Sequence, residues 1–243
     1  MVGCSLPGVR VLAGTSGYSY APWKGVFYPE KLPAAKMLGY YATRLPSVEI
    51  NNTFYRMPNA DLLGRWAEEV PADFSFAMKA PRRITHERRL ADANDAVKQL
   101  FTTAAALGGK LGPVLFQLPP FLKKDVGRLE TFLTSLREVA PGARAAFEFR
   151  HESWFCADVY AALRADGAAL CIAEGDELAT PFEATAPWGY LRLRREDYVE
   201  ADVVAWAERI RGQAWSEAYV FFKHEDGGKG PALAESLLAK LAA

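Results

Sequence analysis

The chain has 243 residues, of which 50% are apolar and 24% are charged, a balance that excludes a disordered or fibrous protein. Lysine plus arginine and aspartate plus glutamate both total 29, so there is no global positive field for a nucleic acid or a membrane surface. Any attraction to anions must therefore be local. A length of about 250 residues is typical of a single α/β barrel.

The three cysteines, Cys4, Cys156 and Cys171, are too scattered for a disulfide framework or a cysteine-rich metal site. Unpaired cysteines are typical of a reducing compartment, so we expect a cytoplasmic protein. The first residues lack the apolar core of a signal peptide, and no apolar run approaches the roughly 18 residues of a membrane span. We therefore expect no membrane partner.

Short β-prone runs alternate with helical patterns almost from end to end. The predicted strands are Val9–Ala13, Ser47–Ile50, Phe74–Lys79, Pro113–Leu118, Arg144–Phe149, Ala168–Ala173, Gly189–Leu193 and Ala218–Phe222. Between them, apolar residues recur at helical spacing, most clearly over residues 97–107, 126–139 and 233–241. Pro141-Gly142 ends the second of these helical stretches.

One link in this alternation is weak. The segment from Glu174 to Pro187 holds two prolines and little helical periodicity, so its helix is predicted to be short or missing. We predict that residues 1–243 form one domain of the α/β class, a single (β/α)8 TIM-type barrel. A doubly wound open sheet is the alternative.

Near the ends of the predicted strands, polar and charged residues occupy alternate positions, which all belong to one face of the strand. In a barrel strand, alternate side chains face the interior, and the apolar neighbours on these strands suit the outer, helix-covered side. The side chains predicted to point inward are Glu49, Asn51, Lys79, Gln117, Glu148, Arg150, Arg192, Arg194 and Lys223. They should gather at the C-terminal mouth, where barrel enzymes keep their active sites. An internal salt-bridge network that fills the barrel is the structural alternative, because buried charges must be paired.

Long motifs follow the same strands. They read Gly14-Thr15-Ser16-Gly17-Tyr18-Ser19-Tyr20, Val48-Glu49-Ile50-Asn51-Asn52-Thr53-Phe54-Tyr55-Arg56, Phe76-Ala77-Met78-Lys79-Ala80-Pro81-Arg82-Arg83, Leu115-Phe116-Gln117-Leu118-Pro119-Pro120 and Phe147-Glu148-Phe149-Arg150-His151. In these motifs the chain resembles the YecE-like family, known as domain of unknown function 72, over essentially its whole length. The resemblance implies a TIM barrel. It implies no reaction, because none is assigned to the family.

Glu49 and Glu148 lie on the second and fifth predicted strands and can face each other across the mouth. Paired carboxylates serve general acid–base catalysis when their environments separate their pKa values. They also bind divalent metals with help from histidine, and His151 follows Glu148 by three residues, but no H-E-x-x-H or similar spacing supports a metal. The structural alternative pairs each glutamate with Lys79, Arg150 or Arg192.

Lys79 is a candidate third catalytic residue. A barrel interior can desolvate an amine and lower its pKa, which would suit a Schiff-base lysine. A lysine among acids and other bases can equally serve as an ion-pair partner.

The loop after the third predicted strand carries four arginines, Arg82, Arg83, Arg88 and Arg89, and we call residues 82–89 the arginine loop. Such a cluster suits bidentate contacts to phosphate, although a solvated loop is the simpler explanation. The predicted substrate-binding residues are Asn51, Asn52, Tyr55, Arg82, His86, Gln117, Arg150, His151, Trp154, Arg192 and Lys223.

These features favour an enzyme, a hydrolase, lyase or isomerase, acting at the mouth on an anionic small molecule, for which a phosphorylated compound is one option. The alternative is a nucleic-acid-binding or processing protein that uses the arginine loop and the aromatic residues around it. No cofactor is implied by a motif, and a divalent metal has only weak support.

Overall fold

The computed structural model describes residues 4–5, 8–175 and 178–242. One sheet contains nine strands in chain order: β1 (Cys4–Ser5), β2 (Arg10–Ser16), β3 (Ser47–Ile50), β4 (Ser75–Lys79), β5 (Leu111–Gln117), β6 (Ala145–Glu148), β7 (Ala169–Glu174), β8 (Trp188–Leu193) and β9 (Glu217–Phe222). Strands β2 to β9 are parallel, and β9 also pairs with β2. This pairing closes the (β/α)8 barrel and excludes the open sheet.

Seven α-helices cover the barrel: α1 (Met37–Ala42), α2 (Ala60–Glu69), α3 (Asn94–Ala104), α4 (Val126–Val139), α5 (Ala157–Ala165), α6 (Glu200–Arg211) and α7 (Lys229–Ala242). Side-chain caps define two of their N-termini, because Asn59 accepts from the Leu62 amide at 2.9 Å and Asp125 from the Arg128 amide at 3.0 Å. None of the described helices is long and apolar enough to cross a membrane.

The link between β7 and β8 contains no helix among its described residues. Thr185 anchors it to the barrel, since its hydroxyl donates to the Ala168 carbonyl at 2.8 Å and accepts from the Leu170 amide at 2.7 Å. The prediction of an irregular connection here is confirmed.

Side-chain parity divides the core into two layers. Val48, Ile50 and Met78 pack outward against the helices, as do Leu191 and Leu193. The strand positions between them point into the barrel, where apolar residues fill the lower part: Leu12, Ala77, Leu115, Ala146, Ala169, Cys171, Trp188, Tyr190, Tyr219 and Phe221. The inward polar side chains lie above this apolar plug, at the carboxyl ends of the strands.

The first barrel strand differs most from the prediction. It runs on to Ser16, three residues past Ala13, and a two-residue strand, β1, pairs antiparallel with it. The sequence Gly14-Thr15-Ser16-Gly17 is typical of a loop, but Gly14 has a packing reason. A Cβ there would lie 1.8 Å from the Ser47 carbonyl oxygen, so only glycine lets β2 approach β3 this closely.

Candidate active site

A cavity of about 580 Å³ opens at the carboxyl end of the barrel, and Glu148, Arg150, Arg194 and Lys223 are among its lining residues. A second cavity of about 590 Å³ lies at the opposite end. There Glu217 pairs with both Arg10 and Arg144, and Asp73 also lines the cavity, so its two basic and two acidic side chains balance. Barrel enzymes carry out their chemistry at the carboxyl end, so we take the first cavity as the candidate site.

Arg192, on β8, forms the centre of the buried charge network. Its Nη2 atom lies 2.9 Å from Glu49 Oε1, and its Nη1 atom lies 2.5 Å from Glu148 Oε2. All three side chains are almost completely inaccessible to solvent. We call Glu49, Arg192 and Glu148 the central triad. One guanidinium thus joins carboxylates from β3 and β6 across the barrel, which is the use for which its planar fork is suited.

Glu49 is saturated with hydrogen bonds. Besides Arg192, the Ser16 hydroxyl donates to Oε1 at 2.7 Å and the Tyr190 hydroxyl donates to Oε2 at 2.7 Å. Burial alone would raise the pKa of Glu49, but the charge of Arg192 and these hydrogen bonds outweigh it and lower the pKa. Glu49 is therefore an ionised carboxylate whose oxygen atoms are already occupied.

Glu148 holds three arginines. In addition to Arg192, its Oε1 atom accepts from Arg150 Nε at 3.0 Å and from Arg194 Nη2 at 3.0 Å. Burial opposes ionisation, yet the charges of the three guanidinium groups and a hydrogen bond from Gln117 hold the pKa of Glu148 well below its usual range. Gln117 itself is buried on β5.

These environments give no support to the expected general acid–base pair of Glu49 and Glu148, which stays a prediction. Such a pair needs environments that move the two pKa values apart, whereas both pKa values are lowered here. The structural alternative is found in part, because Glu148 pairs with Arg150 and Arg192 and Glu49 pairs with Arg192. The pairing with Lys79 is not found.

Lys79 ends β4 beside the central triad without joining it. No carboxylate of the described chain lies within ion-pairing distance of its amine. The Nζ atom instead lies 4.1 Å from the centroid of the Phe54 ring. Burial first, and the charge of Arg192 second, lower the pKa of Lys79 to about 8.

Several buried polar atoms that follow the carboxyl ends of the strands have no hydrogen-bond partner among the described residues. They include Oδ1 of Asn51, directly after β3, and Nε of Arg194, directly after β8. Buried polar groups are nearly always satisfied in folded proteins, so each such atom requires an explanation. A bound ligand or water at the mouth would supply the missing partners.

The arginine loop is folded rather than extended. Residues Arg83–Glu87 form one wide helical turn, and the Leu90 amide, just beyond the loop, donates to the Ile84 carbonyl at 3.0 Å. Arg89 and Leu90 have φ angles of 51° and 70°, a left-handed conformation that costs non-glycine residues free energy. Buried Leu90 holds this conformation in place.

The arginines of this loop do not converge on the central triad. Arg82 pairs with Glu87 at 3.2 Å, and the Arg88 guanidinium donates to the Asp92 carbonyl at 2.8 Å. Arg89 lies over the exposed ring of Phe121, 5.3 Å from its centroid. A single four-arginine phosphate site is therefore not what this loop forms.

The other predicted binding residues lie partly at the mouth and partly in the loop that follows β6. Lys223 lines the cavity, and His86 packs edge-on against Phe54, with ring centroids 4.9 Å apart. Asn52 and Tyr55 are exposed on the turn after β3.

His151 and Trp154 belong to the loop that follows β6. Nδ1 of His151 accepts from the Ser153 amide at 3.2 Å. Trp154 is buried, stacks on Phe149 with ring centroids 4.6 Å apart, and donates to the Leu122 carbonyl at 2.8 Å. A buried ring with its N–H group satisfied supports the loop and is not available to a ligand, so Trp154 is not retained as a binding residue.

The sequence-based prediction missed Ser16 and Tyr190, and it placed Arg194 at the mouth without naming it as a binding residue. Parity was a sufficient signal for two of them, because Tyr190 and Arg194 each lie two positions from Arg192 on the same face of the chain. Ser16 was beyond reach, since it lies past the predicted end of the first strand. A metal gains no support from the geometry, because the described residues hold no group of three or more His, Cys, Asp or Glu side chains suited to one.

A parallel (β/α)8 barrel with a buried charge network at the carboxyl ends of its strands defines a TIM-barrel protein. The family model described as "Protein of unknown function DUF72" matches residues 12–243. The chain belongs to this family.

Relatives agree with this assignment. The chain is 30% identical over 142 residues to the UPF0759 protein YunF of Bacillus subtilis and 33% identical over 117 residues to YecE of Escherichia coli K12. These alignments cover 55% and 47% of this chain but only 49% and 42% of the relatives, so the chain spans about half the length of the curated relatives it matches. A solved DUF72 structure from Thermotoga maritima superposes with a TM-score of 0.81 at 27% identity, covering 95% of this chain and 98% of that one.

Proposed function

We propose that the chain is an enzyme that binds a small anionic substrate, such as a phosphorylated metabolite, at the carboxyl-end cavity. The observation that carries this proposal is the charge balance of the cavity floor, by which we mean the floor-lining side chains together with the charged groups buried beneath them. Glu148, Arg150 and Arg194 line the cavity, and Glu49, Arg192 and Lys79 lie beneath or beside them, so the set has two acidic and four basic members. The triad neutralises part of this charge, and the remaining positive charge favours an anion.

The outer rim on the β8 and β9 side carries the opposite sign. Glu196, Glu225 and Asp226 line the cavity there and are exposed to water. Exposed charges are screened over about 8–10 Å at physiological salt, whereas the partly buried cations of the floor are screened much less. The floor therefore determines which ligand charge is favoured, and the rim acids discriminate against ligands that extend toward β9.

The floor suits hydrolase, lyase or isomerase chemistry in which negative charge develops on the substrate. Fixed guanidinium groups stabilise such charge without reorganising during the reaction. Because Glu49 and Glu148 are held ionised, proton transfer falls to groups that are not locked by ion pairs. Lys79 is one such group, and His86 is another, since burial and the charge of Lys79 lower its pKa and keep it neutral.

Arg150→Met should weaken anion binding with little loss of stability. The Arg150 side chain is 37% exposed and is one of three arginines on Glu148, so Glu148 keeps two cations in the variant. A charged hydrogen bond contributes about 1.5–3 kcal/mol, which corresponds to a loss of roughly 10- to 100-fold in affinity. A thermal-shift screen of phosphorylated metabolites, divalent metal salts and oligonucleotides would identify the ligand, and calorimetry would measure its affinity.

The matched control is Arg128→Met. Arg128 is 36% exposed and also pairs with a carboxylate, Asp125, but it lies on α4 and lines a different cavity. We expect its affinity to equal that of the native chain. Equal affinities in both variants, or equal losses in both, would contradict the proposal.

The rival function is binding of a nucleic acid, and exposed aromatic rings beside arginines are the observation that favours it. Tyr55 is 77% exposed and Phe121 is 62% exposed, and Arg89 lies over the latter ring. Binding to a nucleic-acid backbone falls log-linearly with salt, by several decades for many phosphate contacts. The rival would be favoured by an oligonucleotide whose affinity falls this steeply with salt and is lost in Phe121→Ser but kept in Arg150→Met.

We also propose that the protein works in the cytoplasm. Both cysteines whose side chains are described, Cys156 and Cys171, are free thiols, and Cys171 lies inside the barrel. Free thiols support a reducing compartment.

A further inference from the structure

We propose that Lys79 is a nucleophile that forms a covalent imine with its substrate, so that the anionic substrate is also an aldehyde or ketone. This inference rests on the proposed function, because the surrounding arginines must first hold the anion. It extends that function by naming the substrate class, small carbonyl compounds that carry a carboxylate or a phosphate.

The first support is the position of the amine. Lys79 is the last residue of β4, its side chain points inward, and its backbone carbonyl accepts from the Thr53 hydroxyl at 2.6 Å. Thr53 belongs to the turn that also carries Phe54, so the same turn fixes the strand end and places the ring 4.1 Å from Nζ. The amine is thus held at the mouth by structure on both sides.

The second support is the distribution of partners. Each floor arginine near Lys79 has a carboxylate, and Glu148 alone engages three of them. The Lys79 amine has an aromatic face instead, in the part of the chain that the structure describes. A lysine that served only charge balance would be placed against a carboxylate, as Arg192 is.

The third support is reactivity. With a pKa of about 8 in place of the ordinary 10.5, the neutral amine is roughly 300-fold more abundant near pH 7 than in an exposed lysine. Only the neutral amine has the lone pair needed for attack on a carbonyl carbon. Burial, the first cause of the lowered pKa, and Arg192, the second, are both features of the folded mouth.

The chemical step balances without a further reactant. The Lys79 nitrogen lone pair forms a bond to the carbonyl carbon while the carbon–oxygen π electrons move to oxygen. One N–H proton transfers to that oxygen, which gives a carbinolamine. The hydroxyl group then leaves as water with the second N–H proton, and the nitrogen lone pair forms the carbon–nitrogen double bond of the imine.

The test is borohydride trapping on the full chain. The protein is incubated separately with pyruvate, which carries a carboxylate, and with dihydroxyacetone phosphate, which carries a phosphate, and sodium borohydride reduces any imine to a stable amine. Peptide mass spectrometry then locates the adduct. We expect one of the two probes to label Lys79 at least tenfold more than the exposed Lys98 and Lys123, with a rate that rises with pH through about 8.

Two variants and one internal control sharpen this test. Lys79→Met and Lys79→Arg should lose the adduct, and Lys79→Arg keeps the positive charge in case the neutral variant folds poorly. Lys223 lines the carboxyl-end cavity and is exposed, so it reports nonspecific labelling at the mouth. Equal labelling of Lys79 and Lys223, or an adduct that persists in both variants, would overturn the proposal.

The failure of this inference is distinguishable from failure of the proposed function. If inorganic phosphate binds and Arg150→Met weakens it while neither probe labels Lys79, the anion site stands and the imine proposal is wrong. If inorganic phosphate does not bind and neither probe labels Lys79, the proposed function and the imine proposal are both wrong.

Discussion

Glu148→Gln should lower the free energy of unfolding by about 3–5 kcal/mol at neutral pH, the usual result of removing one partner from a buried ion pair. The glutamine keeps the size and hydrogen-bonding capacity of the side chain but removes the charge that faces Arg150, Arg192 and Arg194. Urea unfolding followed by circular dichroism measures the change. Glu200→Gln is the matched control, because Glu200 is 74% exposed in its pair with Lys240, and we expect almost no effect there.

The pH dependence of this difference has a defined sign. The folded-state pKa of Glu148 lies below its ordinary value of 4.5, so its contribution to stability is present above about pH 4.5 and is lost as the pH falls further. The gap between the native chain and Glu148→Gln should therefore be constant near neutral pH and shrink in acid. A gap that widened in acid, or one no larger than that of Glu200→Gln, would show that Glu148 does not hold the three arginines.

Arg192→Met should destabilise the barrel by a similar amount, about 3–5 kcal/mol, for the opposite reason. Glu49 then stays buried without its ion-pair partner, and the hydrogen bonds from Ser16 and Tyr190 remain. Burial, the largest influence on Glu49, is then opposed by these hydrogen bonds but no longer by the charge of Arg192, so we expect the pKa of Glu49 to rise above its ordinary value. Stability would then be greatest below about pH 4.5 and fall as the pH rises through the new pKa, the reverse of the Glu148 contribution.

The double variant Glu49→Gln with Arg192→Met provides the control. A neutral glutamine still accepts from Ser16 and Tyr190, and no uncompensated carboxylate remains, so we expect recovery of at least half of the lost stability. Additive losses in the double variant, or an Arg192→Met variant that keeps the native pH dependence, would contradict the central triad as described.

Much of the fold was predictable because it depends on alternation. Strands buried on both faces are short and apolar, and a polar residue within them can only point into the barrel near its mouth, which placed Glu49, Glu148 and Arg192 correctly. The end of β2 was not predictable in this way. Gly14 is required there by the close approach of the Ser47 carbonyl, a contact between residues 33 positions apart that local propensity does not contain.

The candidate site was less predictable than the fold. The alternation of residues along a strand shows whether a side chain points into the barrel, but not which groups it contacts there. Lys79 and Arg192 have the same inward parity, yet Arg192 bonds both carboxylates while Lys79 faces Phe54. Which cation pairs with a carboxylate depends on how far its side chain extends across the barrel and on whether it ends in a planar, forked guanidinium group. Trp154 shows the same limit, since its proximity to Glu148 in the sequence gave no sign that its ring is buried against Phe149.

The central claim is that the triad leaves unneutralised positive charge at the carboxyl end of the barrel, where an anion binds. A crystal of the native chain soaked in tungstate tests this most directly, because tungstate is a tetrahedral dianion whose tungsten atom is located by its anomalous scattering. We predict a peak within hydrogen-bonding distance of the guanidinium groups of Arg150 and Arg194, in front of Lys79. Tungstate bound only elsewhere, for example on the arginine loop, with no peak at the mouth, would contradict the claim.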